Sequence, residues 1–182
     1  MSTTTRRFSA ALLLAPAVSL VGFWASAASA EVLLFSANQN GQRFDSAGLV
    51  DLNGTAAGGT TLTFATTQAN QRVSIIFNTN CGFFQDQPSG EHTGYARVEI
   101  IVDPAGSVGE TILPPTNSGD YVLCADHDPA VNFDSENAVV VTSARPSQAG
   151  THKVKVRVIP TPFTAESSIS VGIEESTLTI MR

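Results

Sequence analysis

The segment His152-Lys153-Val154-Lys155-Val156-Arg157-Val158 decides the fold, because apolar and charged residues alternate along it one by one. Successive side chains of a β-strand point to opposite faces, so its three valines share one face and its three cations the other. Residues 95–102 repeat this pattern, with Arg97 and Glu99 on the polar side. Both segments therefore predict strands with one face in a core and one in water, where acidic and basic side chains can pair across strands.

Shorter runs of the same kind recur along the chain, separated by Gly, Pro, Asn and Asp. Nine of them predict further strands at residues 32–36, 47–52, 60–66, 72–78, 110–113, 121–125, 138–143, 168–173 and 177–181. Helical periodicity is limited to one possible turn at residues 66–71. The pattern predicts an all-β fold, namely an antiparallel two-sheet β-sandwich of jelly-roll or immunoglobulin-like topology, with a closed barrel as the alternative.

The first thirty residues have the features of a cleavable export signal. Arg6 and Arg7 precede an apolar run at residues 10–25, and Ala28-Ser29-Ala30 supplies small residues for cleavage. We expect a signal peptide at 1–30 and a single domain at 31–182 in a secreted or periplasmic protein. After residue 30 no apolar run approaches the length of a membrane span, so we expect no transmembrane segment there.

Cys81 and Cys124 are the only two cysteines of the chain. Disulfides persist in the oxidising compartments to which a signal leads, so we expect these residues to be bonded to each other. Redox or metal chemistry is disfavoured because the two cysteines are far apart and form no CxxC motif.

The chain is acidic, with a formal net charge of −6, and removal of Arg6 and Arg7 makes it more negative. Phosphates repel such a surface, so nucleic acid is not an expected partner. We expect instead a protein or glycan ligand.

Strand and turn patterns also carry a resemblance to a group of proteins. The segment 66–78 running into Cys81, together with residues 102–106 and 149–154, resembles small secreted bacterial β-sandwich proteins of no assigned activity. The resemblance implies an exported bacterial protein, and it supplies no catalytic residue.

The densest group of acidic residues lies between Asp120 and Glu136. Calcium takes six to eight oxygen ligands, and an acidic loop can provide them. The candidate ligands are Asp126, Asp128, Asp134 and Glu136. The spacing does not match an EF-hand, and a solvated acidic loop beside the disulfide is the alternative; we otherwise expect no cofactor.

Two aromatic residues, Phe83 and Phe84, follow Cys81 closely. In an extended chain they point to opposite sides, so one of them is a candidate contact for a partner, although a curled loop would bury both. His152 continues the inward face of its strand, where we expect a packed, hydrogen-bonded side chain.

Signs of catalysis are weak, and we assign no catalytic residue. The chain has no GxSxG motif for a nucleophilic serine. Two carboxylates among Glu91, Glu99, Asp103 and Glu110 could form a hydrolase pair if the fold brings them together. The sequence thus favours a non-enzymatic binding protein that uses loops at one end, with a calcium-dependent carbohydrate-binding module and a small carboxylate hydrolase as alternatives.

The calcium hypothesis predicts that millimolar calcium raises the melting temperature, because a ligand that binds only the folded state stabilises it. Asp126→Ala or Asp128→Ala should abolish this rise in a thermal denaturation experiment. A melting temperature that calcium does not change would rule the site out.

Overall fold

The computed structural model describes residues 30–54, 59–84, 94–103, 111–119, 121–126, 135–163 and 169–182; the side chains of Asp103, Asp126 and Ser135 lie outside this description. Within these ranges the chain forms eleven strands and one 3₁₀ turn at Thr116–Ser118. The strands are β1 (Val32–Asn38), β2 (Gln42–Phe44), β3 (Gly48–Leu49), β4 (Leu62–Thr66), β5 (Val73–Phe84), β6 (Gly94–Asp103), β7 (Thr111–Ile112), β8 (Val122–Asp126), β9 (Ser135–Ala144), β10 (Gly150–Pro162) and β11 (Ser170–Met181). Among the described residues, no helix has the length and apolar character needed to cross a membrane.

The strands form two antiparallel sheets. In sheet A the order is β1-β11-β5-β9, and β2 continues the line of β1 along the same side of β11. In sheet B the order is β3-β10-β6-β7, where β4 also pairs with β10 and β8 also pairs with β6. Each sheet therefore has four strand positions, and three of the four outer positions are shared by two short strands.

The chain alternates between the sheets in the order that defines a jelly roll. The pairs β1 and β2, β3 and β4, and β7 and β8 each share one position, so we count each pair as one strand. The chain then passes through the sheets in the order A, B, A, B, B, A, B, A, and its last strand lies beside its first. This is the double Greek key of a jelly-roll sandwich. The predicted all-β, two-sheet fold is confirmed, and jelly-roll topology is the alternative that the strand order selects.

The core lies between the two sheets, and alternation along the central strands fills it. In β10 the side chains of His152, Val154, Val156 and Val158 are fully buried, while the residues between them face outward. The outward Arg157 lies opposite Glu99 of β6, and their side chains form an ion pair at 3.0 Å. The cross-strand pairing expected from the sequence is thus present.

The expected disulfide joins Cys81 to Cys124, with their Cα atoms 6.2 Å apart. Cys81 lies in β5 of sheet A and Cys124 in β8 of sheet B, so the bond connects the two sheets through the core. Both residues are buried, at 0% and 2% exposure. The bond thus adds a covalent link to the apolar packing between the two layers.

Two predicted strands at the C-terminal end are one strand in the structure. Residues 168–173 and 177–181 were separated in the sequence by the polar residues Glu174, Glu175 and Ser176. These residues instead form a β-bulge within β11, where Glu175 has a φ of 46°. Strand β2, which consists of Gln42-Arg43-Phe44, was not predicted because three residues carry no alternation.

Loss of the disulfide should lower the free energy of unfolding. The cysteines are 43 residues apart, and in the chain-entropy model a loop of that length corresponds to about 4 kcal/mol. Denaturant titration of the oxidised protein and of a Cys81→Ser/Cys124→Ser variant measures this difference. The wild-type protein in reductant is the control and should unfold with the variant; equal midpoints for oxidised and reduced protein would contradict the expectation.

Candidate functional site

The candidate calcium ligands are only partly within the described residues. Asp128 and Asp134 lie outside them, and for Asp126 only the backbone is described, at the end of β8. The Glu136 carboxylate accepts a hydrogen bond from the Ala125 N–H at 3.3 Å, which ties β9 to β8. Among the side chains that are described, no three acidic, histidine or cysteine residues are grouped as a metal site. The calcium site stays a prediction.

The two phenylalanines after Cys81 point to opposite sides of sheet A. Phe83 is 3% exposed and packs in the core. Phe84 is half-buried on the outer surface, where its ring covers Gly172 so closely that a Cβ at that position would lie 2.6 Å from it. Of the two, only Phe84 has a ring that is partly accessible to a partner. That a partner contacts it stays a prediction.

A polar network surrounds the Phe84 ring. The Arg43 guanidinium lies 5.4 Å from the ring centroid and donates hydrogen bonds to Asp45 and to the Ser170 hydroxyl. The Ser170 hydroxyl in turn donates to Asp45. This last bond is the main cause that lowers the pKa of Asp45 below its ordinary value, and Arg43 lowers it further.

The candidate hydrolase pair gains no support from the described side chains. Glu99 is engaged with Arg157 on the outer surface of sheet B. Glu91 and Glu110 lie outside the described residues, as does the side chain of Asp103. The hydrolase alternative therefore stays a hypothesis of the sequence.

His152 has the role expected of it. It is fully buried, its Nε2 lies 3.0 Å from the Thr66 hydroxyl oxygen, and its ring lies 5.4 Å from that of Phe64. These contacts connect β10 with its neighbour β4. The side chain belongs to the core and is not part of a candidate site.

An uncharged surface covers part of the outside of sheet A, and we call it the neutral face. It consists of the outward residues of three cross-strand rows that run over β1, β11, β5 and β9. The rows are Val32, Met181, Ser74 and Ser143; Phe35, Thr179, Ile76 and Val141; and Ala37, Thr177, Asn78 and Val139. No acidic or basic side chain occurs among these twelve positions.

Large apolar side chains on the neutral face are open to solvent. The exposed fractions are 63% for Phe35, 58% for Val141, 56% for Val32 and 54% for Val139. Single exposed apolar side chains are common on soluble proteins, but a group of them on one uncharged surface marks an interaction site. The neutral face is therefore the principal candidate site of the described chain.

The outer surface of sheet B provides the contrast. Its central strands carry Lys153, Lys155, Arg157, Arg97 and Glu99 on that side. The two sheets thus share one core, but the centre of the outer surface of sheet B is charged, whereas the twelve positions of the neutral face on sheet A are not.

Sequence reasoning missed the neutral face, although part of its signal is visible. The unbroken run Val139-Val140-Val141 in β9 indicates a strand with apolar residues on both faces, whereas β10 alternates. The contributions of Phe35 and Ile76 depend on which strands are neighbours, and that order is a property of the topology.

Comparisons with known proteins identify no family. No protein-family model matches this chain, and no curated protein matches it. Among solved structures, the CBM22-1 xylan-binding domain from Paenibacillus barcinonensis Xyn10C is similar to 84% of this chain and 96% of that chain, with 6% sequence identity and a TM-score of 0.32. A likeness at this level carries no argument about function.

Replacement of Ser170 should raise the pKa of Asp45. In Ser170→Ala the main hydrogen bond to the carboxylate is lost, so we expect the pKa to move toward the ordinary value of 3.8. Carboxyl ¹³C chemical shifts, followed by NMR through an acid titration, measure it. Because the folded pKa is depressed, the stability that Asp45 contributes is present above its ordinary pKa and is lost as the pH falls through the folded value.

Ser143→Ala is the matched control, since Ser143 is an outward serine of the same sheet on the distant strand β9. It should leave the Asp45 titration unchanged. An Asp45 pKa that is the same in Ser170→Ala and in the wild type would show that the hydroxyl has no such effect.

Proposed function

We propose that this chain is an exported, non-enzymatic binding protein that contacts a protein partner through the neutral face. The observation that carries the proposal is the combination of four exposed apolar side chains with twelve uncharged positions in a chain of net charge −6. The centres of protein interfaces are depleted of charged residues, while their rims are polar. The neutral face has this composition, and Glu174 and Asn80 form the adjoining polar pair beyond Thr177 and Asn78.

The dimensions of the neutral face suit the centre of an interface. Four strands spaced by about 4.8 Å and three rows spaced by about 6.8 Å give roughly 400 Å² when the borders are included. A standard interface takes about 800 Å² from each partner, so the face would form about half of the contact and the surrounding polar residues the rest.

A protein suits this face better than a polysaccharide does. Sugar rings stack on exposed aromatic surfaces, and Phe35 is the single aromatic residue among the twelve positions. Branched aliphatic side chains such as Val139 and Val141 instead interdigitate with those of another protein. Nucleic acid remains an unsuitable partner, because the face has no cation to neutralise phosphates.

Two observations support the export part of the proposal. The Cys81–Cys124 disulfide is typical of proteins in oxidising compartments. Strand β1 begins at Val32, directly after the expected cleavage position, and the backbone of Glu31 already pairs with that of Arg182 at 3.0 and 2.9 Å. A chain that starts at Glu31 therefore keeps every described strand.

A cation placed on the neutral face should abolish partner binding. Val141→Lys introduces a charge at a 58% exposed position, so the fold should tolerate it. An unpaired charge buried in an interface costs about 2 kcal/mol or more, which corresponds to a loss of affinity of about 30-fold or more. The immobilised wild-type protein is used to capture the partner from the native cell envelope. The purified partner is then titrated against each variant by calorimetry.

Thr151→Lys is the matched control, because it adds the same charge at an exposed position on the outer surface of sheet B. It should bind the purified partner like the wild type, and both variants should keep the wild-type melting temperature. A partner that binds Val141→Lys and the wild type equally well would contradict the proposal. Self-association that only Val141→Lys abolishes, seen by sedimentation, would identify the partner as a second copy of this chain.

A further inference from the structure

Strand β9 forms one edge of sheet A, since among the described strands it pairs with β5 alone. It is ten residues long, and its register with β5 is regular from Ser135 to Ala144. Each of the other three outer positions of the sandwich is divided between two shorter strands. Within the described part of the chain, β9 is therefore the one outer position that a single long strand occupies.

The hydrogen bonds of sheet A show which backbone groups of β9 point to this edge. Successive residues of a strand direct their N–H and C=O groups to opposite sides. Arg182 exchanges both backbone bonds with Glu31 on the β1 side, so Thr179, three residues earlier, directs its groups to β5. Ile76 lies opposite Thr179 and is bonded to β11, which leaves the next residue of β5 to bond Val140. The even-numbered residues of β9 are thus bonded to β5, and the odd-numbered residues direct their groups to the open edge.

Four alternate residues present their backbone to this edge, namely Asn137, Val139, Val141 and Ser143. Each has one N–H and one C=O there, which makes eight groups. Within the described residues, none of these groups has a backbone hydrogen-bond partner. The four side chains are exposed as well. An open strand of this kind is a template for pairing with a strand of another molecule.

The features that usually block pairing at an edge do not occur in this part of β9. Protected edges carry lysine, proline, an inward charge or a bulge. Residues 137–143 contain no charged residue and no proline, and their register has no bulge. By contrast, β1 at the opposite edge has a bulge between Val32 and Leu34, and two of its side chains bind the carbonyls of residues 51–52 beside it.

We infer that β9 pairs in antiparallel orientation with β9 of a second copy of this chain, about a two-fold axis at Val140. This register places Val139 opposite Val141 on both sides of the axis. Asn137 then lies opposite Ser143 at both ends. Branched side chains meet at the centre and polar side chains meet at the ends, which favours cross-strand pairing. An axis at Val139 or at Val141 would instead place a valine opposite Asn137 or Ser143.

A second copy satisfies the edge completely. Four N–H groups from each copy reach the C=O groups of the other, so eight hydrogen bonds form, close to the roughly ten of a typical interface. Like charges opposite each other would destabilise a symmetric pair, and these residues have none although the chain has a net charge of −6. A two-fold pair is also closed, whereas pairing of β9 with β1 of another copy would continue as a filament.

The dimer joins two copies of sheet A into one sheet of eight strand positions. Both neutral faces lie on the same side of it, because the axis is perpendicular to the sheet. Two faces of roughly 400 Å² each then form one surface of roughly 800 Å², about the area that a standard interface takes from one partner. The inference goes beyond the proposed function and does not depend on it, because backbone groups form the edge and side chains form the face.

Amide hydrogen exchange followed by NMR tests the pairing residue by residue in a chain of residues 31–182. The amides of Val140 and Thr142 are bonded to β5 and should exchange slowly at every protein concentration. The amides of Val139 and Val141 should exchange slowly only in the dimer, so their protection should rise with concentration. Sedimentation of the same samples should show twice the mass of one chain.

A proline at the edge should dissociate the dimer. Val139→Pro removes an N–H that points away from β5, so the bonds within sheet A remain, while each copy loses a donor and gains a ring that obstructs the neighbouring strand. Val139→Thr is the matched control, because it keeps the N–H and a β-branched side chain, and it should remain a dimer. The melting temperatures of both variants show that the fold is intact.

Three results would overturn the inference. The first is a protein that sediments as a monomer at the concentrations used for NMR. The second is slow exchange at Val139 and Val141 in a monomer, since another segment of the same chain would then cover the edge. The third is protection that arises only when a purified partner is added, which would assign the edge to a strand of that partner.

Ile76→Lys separates this inference from the proposed function. Ile76 lies on β5 within the neutral face and away from the edge, so the edge dimer should persist in this variant while partner binding is lost. Self-association that Ile76→Lys abolishes and Val139→Pro leaves intact would be held through the face and would overturn the edge dimer. An edge dimer whose partner binds Ile76→Lys as tightly as the wild type would instead contradict the proposed function alone.

Discussion

A single extra residue in β11 determines which side chains of this strand face the core and which face solvent. Before the bulge the inward residues are Val171 and Ile173, at odd positions, whereas after it they are Leu178 and Ile180, at even positions. A regular strand could not bury both pairs, since a shift of one residue moves every side chain to the other face. Without the bulge, Leu178 and Ile180 would face solvent and Thr177 and Thr179 would face the core.

The same bulge places a polar side chain on the inner side of sheet A. The inserted residue needs a local backbone conformation that a regular strand does not have, and Glu175 adopts it. Ser176 is turned inward at this point, where the surrounding strands supply no hydrogen-bond partner. A feature that keeps the core apolar thus also buries a hydroxyl without a partner.

Features that depend on the pattern within one strand could be predicted from the sequence, whereas features that depend on strand pairing could not. Alternation in β10 and β6 located both strands and indicated that acidic and basic side chains could pair across strands; the structure shows that Arg157 and Glu99 form such a pair. The disulfide was expected because the chain has two cysteines and an N-terminal pattern that predicts export. The bulge was not predicted, because Glu174-Glu175-Ser176 has the composition of a turn and therefore indicated two separate strands. Only the continuation of pairing with β5 on both sides shows that the strand does not end there.

The amino-acid pattern was enough to predict that the protein is all-β, that its sheets bury one face each, and that Cys81 and Cys124 are joined. These properties depend on alternation and composition, which a linear pattern records. Tertiary structure alone decided that Phe35, Thr179, Ile76 and Val141 lie in one row. These residues come from four distant parts of the chain, and a jelly roll brings them together because its first and last strands are neighbours. The neutral face therefore belongs to the fold and to no single segment.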